Sequence, residues 1–438
     1  MAAMRGALRR GNTVESFARA RALLPMRWPH RAITQATFPP GSLSWDKGGM
    51  RTAAKTSTAL DKSKLGQVVL VFQGGGALGA YQAGVYQALQ EAGVEPDWVI
   101  GTSIGAINAA LIAGNEPGRR LERLREFWLR MTHSRTAQFA GMLPGVGALM
   151  ANAMTVANGL EAFFRPNPWA FLGMQTPLGS ELAGYYSTDP LEKTLGDLLD
   201  PQLLNAGRPR LTVGAANVQT GQMRYFDSRD DVLTVRHVMA SGALPPAFPA
   251  VRIDGELYWD GGILSNTPVE AVFDDKPRRS GVVFAVHMWA PAGPEPDSIW
   301  SVLSRQKDLQ YSSRAITHIA RQKQIHKLRH VISELAGKLP PDVRATNEAR
   351  ELAAYGCPTQ MHVIRLLSPP LAGEDHAKDI DFSPGGIKAR WEAGYAHTAR
   401  VLDQAPWTHG VDPMEGIILH EAEAGHVTED IQPKDIQK

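Results

Sequence analysis

Gly101-Thr102-Ser103-Ile104-Gly105 sets one hydroxyl between two glycines, directly after the apolar triplet Trp98-Val99-Ile100 and before an alanine-rich stretch that ends at Ala113. G-x-S-x-G is informative in this context, between a strand and a helix: the glycines permit a sharp turn, and the turn lifts the Ser103 side chain out at a helix N-terminus. The chemistry this suggests is nucleophilic attack on a carbonyl, provided that another group takes the serine proton. The plainer reading is a tight turn with Ser103 as helix cap. Gly74-Gly75-Gly76 begins 29 residues upstream of Ser103, at the end of the run Val68–Phe72. With Ala77-Leu78-Gly79 it fits G-x-G-x-x-G, the dinucleotide fingerprint, which also needs an acidic residue at the end of the next strand. That strand ends in Gly101-Thr102-Ser103 instead, and neither Glu91 nor Asp97 stands in the required place. The dinucleotide reading fails. Three glycines at a helix start can equally leave backbone N–H groups converging on one spot, where they stabilise a developing oxyanion.

A proton acceptor must come from the histidines or the carboxylates. Asp260 stands out, because Tyr258-Trp259-Asp260-Gly261-Gly262 puts a carboxyl after two aromatics and before two glycines that let backbones approach. The competing reading is an Asx-type turn. Of the 13 histidines only His237 and His287 fall near expected strand ends, and both read as structural.

These groups need a scaffold. Val68–Phe72 is a continuous apolar run, as expected of a strand buried on both faces, and Ala77–Ala92 reads as a helix stopped by Gly93. Strand–turn–helix twice in about fifty residues starts a parallel α/β sheet. Further strands are expected at Leu211–Ala215, Met223–Phe226, Gly281–Val286 and His362–Leu366, and Ser265-Asn266-Thr267-Pro268 is expected to start another helix.

Phe72-Gln73-Gly74-Gly75-Gly76-Ala77-Leu78-Gly79, Gly101-Thr102-Ser103-Ile104-Gly105 and Asp260-Gly261-Gly262 together resemble the three motifs of the patatin-like phospholipase family, in the family's order. Ala240–Pro249 resembles the segment that precedes the family's aspartate motif, so the resemblance covers roughly residues 66–275. It implies a three-layer α/β/α fold with a mostly parallel central sheet. It also implies a Ser–Asp dyad without histidine, with Ser103 as nucleophile, Asp260 as base and the Gly74, Gly75 and Gly76 amides as oxyanion donors. Gly79, Gly101, Gly105, Gly261 and Gly262 support the motifs. No metal and no cofactor are expected. A free aspartate titrates near ~3.9, so Asp260 needs surroundings that raise its pKa. Asp381-Phe382-Ser383-Pro384 followed by Trp391-Glu392-Ala393-Gly394-Tyr395 resembles an extension found on a bacterial subgroup. The implied activity is hydrolysis of lipid carboxylic esters through an acyl-enzyme; the alternative is an esterase, thioesterase or polyester hydrolase acting on non-membrane acyl substrates.

The 438 residues divide, on this reading, into a basic, mostly unordered extension (1–64), a catalytic domain (65–289) and a C-terminal region (290–438) that is helical with one strand near 361–367 and an acidic tail. Seven arginines against one acid, Glu15, occupy residues 1–45, so with a net charge of +2 the rest of the chain is net negative and offers no nucleic-acid surface. The extension could be a solvated tail, a stretch ahead of a working start at Met50, or a transit peptide. A single cysteine, Cys357, excludes an internal disulfide and any multi-cysteine metal site. No apolar run reaches the ~18 residues of a membrane span, and no secretory signal is read, so a cytoplasmic location is expected. Between Ala137 and Gln175 the only formal charges are Glu161 and Arg165. That segment is either an acyl-binding wall or flap over Ser103, or plain core helix. The stretch 314–330 carries five Lys and Arg without an acid, which suggests peripheral membrane contact. Ser383 and Pro384 should start a last helix, docked by Ile387, Trp391, Tyr395 and Leu402, with an unordered tail after Asp412.

Overall fold

A computed structural model describes residues 62–132, 147–173, 175–371, 374, 376–422 and 427–429. The first strand, β1 (Gln67–Phe72), shows why the fold is layered. Side chains alternate across a strand, and here both sets are apolar: Val68, Leu70 and Phe72 enter one core, Val69 and Val71 the other. A strand with two buried faces requires helices on both sides.

Ten strands form the sheet. After β1 come β2 (Trp98–Thr102), β3 (Arg210–Asn217), β4 (Met223–Asp227), β5 (Val251–Ile253), β6 (Glu256–Asp260), β7 (Gly281–His287), β8 (Met361–Leu367), β9 (Ile417–Ala422) and β10 (Val427–Glu429). Their order is β10-β9-β8-β7-β1-β2-β3-β6-β5, with β4 also on β3. The six central strands from β9 to β3 are parallel, with Phe72 beside Gly101 and Val286 in the register, while β4, β5, β6 and β10 pair antiparallel. On one side lie α1 (Ala80–Glu91) and α2 (Ile104–Ala113). The short helix α3 (Val235–Ser241) borders β3, β5 and β6. On the other side the 40-residue α4 (Ile299–Lys338) buries Ile319 against β8 and β9. This is the three-layer α/β/α arrangement, and the sheet runs through the expected boundary at 289/290.

One expectation is corrected. The chain after Asp412 is not an unordered tail throughout: β9 lies parallel to β8 with Ile417 and His420 fully buried. Only three apolar residues, Ile417–Leu419, mark it in an acidic surrounding, and it is the waiting edge of β8 that turns so short a run into a strand. The basic stretch 314–330 forms the middle of α4. Lys323 and Lys327 there pair with Glu415, and His326 and His330 are buried. Residues 1–61 of the expected extension lie outside the described residues.

The last helix, α5 (Pro384–Gln404), forms as its cap predicts: the Ser383 hydroxyl accepts from the Gly386 amide at 3.1 Å, and Pro384 occupies the first turn. It crosses α1 so closely that a Cβ on Gly394 would strike the Tyr81 carbonyl and one on Gly84 the Trp391 carbonyl. Trp391 and Ile387 are buried there, and Tyr395 donates to Glu91 at 2.7 Å. Gly394→Val should therefore lower stability by about 1–3 kcal/mol, since backbone cannot yield as a side chain can. Gly196→Ala should have the opposite sign. A Cβ there meets nothing within 4 Å inside the helix Asp189–Leu198, and the change should stabilise by about 0.5–1 kcal/mol. Denaturant midpoints of the two variants check both signs.

Candidate active site

Parallel strands deliver their C-terminal ends to one edge, and there three separated loops meet. β2 runs into Ser103, whose backbone holds φ 57° and ψ −127°. The flanking glycines explain how. A Cβ on Gly101 would collide with the backbone of Gly105, and one on Gly105 with the carbonyl of Phe72, so strand and helix touch across the turn. The Ser103 amide donates to both the carbonyl (3.1 Å) and the hydroxyl (3.0 Å) of Ser241 at the end of α3, and the Ser241 hydroxyl donates to the Gly214 carbonyl at 2.6 Å. Segment 240–249 thus braces the serine turn against β3.

Asp260 ends β6 and is buried at 2% exposure. Its carboxyl accepts the Gly262 amide at 2.7 Å, and the Ser103 hydroxyl is near enough to act on it as a second hydrogen-bond donor. Burial outweighs both bonds and pushes its pKa up from the usual range to about 6. Gly261 has no room for a side chain beside the Gly214 carbonyl, and a Cβ on Gly262 would press on the Asp260 carboxyl at 3.0 Å. The Ser103 side chain and the Asp260 carboxyl therefore lie near one another at this edge.

The glycine loop after β1 needs one correction. The Gly74 amide donates to the Asn266 carbonyl at 3.1 Å, so it is not an oxyanion donor. Gly74 serves by closeness: a Cβ there would sit 3.0 Å from that of Ser103. The Gly75 and Gly76 amides have no acceptor among the described residues, whereas the next amide, Ala77, donates to the Asp379 carbonyl at 2.8 Å. Gly76 has φ 56° and faces that same carbonyl, so glycine is required on both counts. Gly79 lets α1 close on Ile104 and Trp128.

Neither His237 nor His287, among the described residues, hydrogen-bonds with the serine or the aspartate. His237 completes the cap of α3 with Thr234 and lies against Phe226 at 4.7 Å. His287 is wholly buried and held far below the usual imidazole range by burial and then by Arg365. Several residues around the site were not legible as such. Ser241, Asn266, Trp289, Tyr311 and Asp379 reach it from elsewhere in the chain, and the helix expected at 265–268 is delayed to Glu270–Phe273. Tyr311, on α4, has its phenol raised by burial and then by the nearby Asp260 and Asp379 carboxylates.

The described part of the charge-poor segment is not plain core helix. Phe163 and Phe164 pack edge-to-face with Phe248, but Trp169, Phe171 and Leu172 are exposed at 57, 83 and 60%. Residues 137–146 and Met174 lie outside the described residues. A cleft of about 440 Å³ between Trp169, Leu182, Tyr186, Met239 and Pro249 includes neither Ser103 nor Asp260 in its lining. Among the described residues, no cluster of three or more His, Cys, Asp or Glu could hold a metal ion, and no helix is long and apolar enough to cross a membrane.

Lysophospholipase nte1 of Aspergillus niger is 27% identical over 246 residues, covering 54% of this chain and 13% of that protein. The Aspergillus terreus protein of that name is 28% identical over 220 residues, 50% of this chain and 12% of its own. This chain thus spans about an eighth of the length of these curated relatives, which are fungal. The solved structure of VipD from Legionella pneumophila aligns with 77% of this chain and 67% of its own at 17% identity and a TM-score of 0.35. That of the type III effector ExoU aligns with 77% and 53% at 14% and 0.28. The likenesses are too loose to add to the topology itself. Residues 70–273 match the model of the patatin-like phospholipases, and residues 309–414 match a second model described as patatin phospholipase. By these two matches, both described as patatin phospholipases, the chain is similar to that family over most of its described length.

Proposed function

We propose that the chain hydrolyses lipid carboxylic esters, of the phospholipase or lysophospholipase kind, through a Ser103–Asp260 dyad. The observation that carries this reading is the hydroxyl of a strained serine turn on a buried carboxyl raised to about 6. A carboxylate with that pKa is a competent base near neutral pH, which an ordinary aspartate is not. Ser103 Oγ attacks the ester carbonyl as its proton passes to Asp260. The carbonyl oxygen becomes an oxyanion and is received by the Gly75 and Gly76 amides, a donor of this kind being worth about 2.7–4 kcal/mol. The C–O bond to the alcohol then breaks, and Asp260 returns the proton to the leaving oxygen. Water, deprotonated by Asp260, attacks the acyl-serine; the fatty acid departs and Ser103 regains its proton.

The relatives' printed activity favours lysophospholipids as the substrate class. We also read the resemblance of 381–395 as membership of the bacterial subgroup that carries this extension. We place the enzyme in the cytoplasm, touching membranes peripherally. In the 314–330 stretch Arg321 is exposed, whereas Lys323 and Lys327 are engaged by Glu415. A panel of phospholipids, lysophospholipids and soluble acyl esters, with the lipids presented in neutral and anionic vesicles, tests the reading. Wild type should release fatty acid from the lipids, faster on anionic vesicles, and Ser103→Ala should release none. Release only from soluble esters would move the substrate to non-membrane acyl compounds.

A further inference from the structure

The glycines that open the loop after β1 create a difficulty of their own. A peptide flanked by Gly74 and Gly75 meets little steric resistance to rotation as a unit about its neighbouring bonds. In one orientation the Gly75 N–H faces the reacting oxygen. Flipped, the same peptide presents the Gly74 carbonyl there, and a donor becomes a repelling acceptor. Because N–H and C=O of a trans peptide point in opposite directions, fixing the carbonyl fixes the amide.

The Gly74 carbonyl is held from two sides. Trp289 Nε1–H donates to it at 2.8 Å and Asn266 Nδ2–H at 3.1 Å, which occupies both lone pairs of the oxygen. Each donor is held in turn. The Asn266 main-chain carbonyl takes the Gly74 amide at 3.1 Å, and its side-chain amide also reaches the Tyr311 carbonyl at 3.4 Å. Trp289 is 2% exposed, its ring lies 5.1 Å from that of Tyr311, and its own amide donates to Gln73 Oε1 at 3.1 Å. Gln73 Nε2 donates to Thr267 Oγ1 at 2.7 Å and to the Tyr311 carbonyl at 3.2 Å. Three chain segments beyond β1, at 266–267, 289 and 311, therefore converge on one peptide group.

We propose that Asn266 and Trp289 are positioning residues that set the direction of the Gly75 oxyanion donor by clamping the carbonyl of Gly74. The proposal rests on the reading of Gly75 as an oxyanion donor given above. It assigns a catalytic purpose to the part of the chain after residue 289, since α4 supplies the Tyr311 backbone and ring that hold both donors. Neither residue needs to touch substrate.

Trp289→Phe keeps the ring and removes the N–H; Asn266→Ala removes the amide and leaves the main-chain acceptor. Each should lower kcat about tenfold and the pair about 10²-fold, approaching the loss of one oxyanion donor, with KM changed by less than about twofold. Labelling of Ser103 by a fluorophosphonate should slow in the same proportion, because the same oxygen gains charge. Wild-type kcat in both variants overturns the proposal. So does a joint shift of kcat, KM and melting midpoint, which would mark a merely structural role. Should a variant fail to fold, the unmutated protein supplies the reading. Charge placed on the Gly75 N–H polarises the peptide and strengthens the bonds to its carbonyl, so phosphonylating Ser103 should move the Trp289 indole ¹⁵N–¹H resonance; an unmoved resonance overturns the clamp. Turnover retained by Ser103→Ala would sink the dyad reading beneath it, whereas a dead Ser103→Ala beside unimpaired clamp variants sinks this inference alone.

Discussion

Asp260→Asn should abolish turnover and, above pH 7, make the protein more stable. The activity side follows from the loss of the base: an amide cannot take the Ser103 proton, and general-base assistance contributes about 10²- to 10⁴-fold. The stability side follows from the raised pKa. Asp260 titrates at about 6 when folded and near ~3.9 when unfolded. Between those values the folded state binds the extra proton, so this group costs the fold nothing in acid. Stability falls as pH rises from about 4 to about 6, and above that the full cost of a buried carboxylate is present, on the order of 2–3 kcal/mol. Asparagine is neutral throughout, can still accept from Gly262 and can donate to Ser103. Denaturant unfolding at pH 4 and pH 8 should thus show a gain for Asp260→Asn at pH 8 that vanishes at pH 4. For the wild type, kcat/KM should rise with pH through about 6 and level off. A variant within tenfold of wild-type activity, or a stability difference that ignores pH, would count against Asp260 as the buried base.

Val68–Phe72 and Trp98–Ile100 were legible because every side chain in them is apolar and buried on one face or the other. The turns after them were legible because glycine is the residue that closely apposed backbones demand, and Gly101 and Gly105 show that apposition directly. The strands β5, β6 and β9 were not, since three to six residues paired at a sheet margin leave no periodic signature. The misassigned Gly74 amide has a different cause. Sequence can show that a loop has free N–H groups, but not that a carbonyl from Asn266, 192 residues later, has claimed the first of them. The same applies to Asp379, whose carbonyl takes the amide of Ala77. Motifs reveal which groups are available; long-range main-chain pairing decides which remain free.

Ser103→Gly and Ser103→Ala should both eliminate turnover and covalent labelling by a fluorophosphonate, with losses on the order of 10⁶ in kcat where a serine nucleophile is removed. They should differ in stability. Ser103 holds φ 57° with ψ −127°, a region costly to any residue with a Cβ, and such strain is worth about 1–3 kcal/mol. Alanine keeps the Cβ and with it the strain. Glycine removes it, at the cost of a more flexible unfolded chain, about 0.5–1 kcal/mol. The glycine variant should therefore unfold at higher denaturant than the alanine variant, by about 1 kcal/mol in free energy, although neither has a hydroxyl to offer Asp260. The comparison isolates the turn from the chemistry, because both variants lose the same hydrogen bond. An alanine variant as stable as the glycine one would mean that the brace from Ser241 and the contacts of Gly101 and Gly105 hold the turn without strain at its apex. Residual turnover in either variant would mean that the nucleophile lies elsewhere.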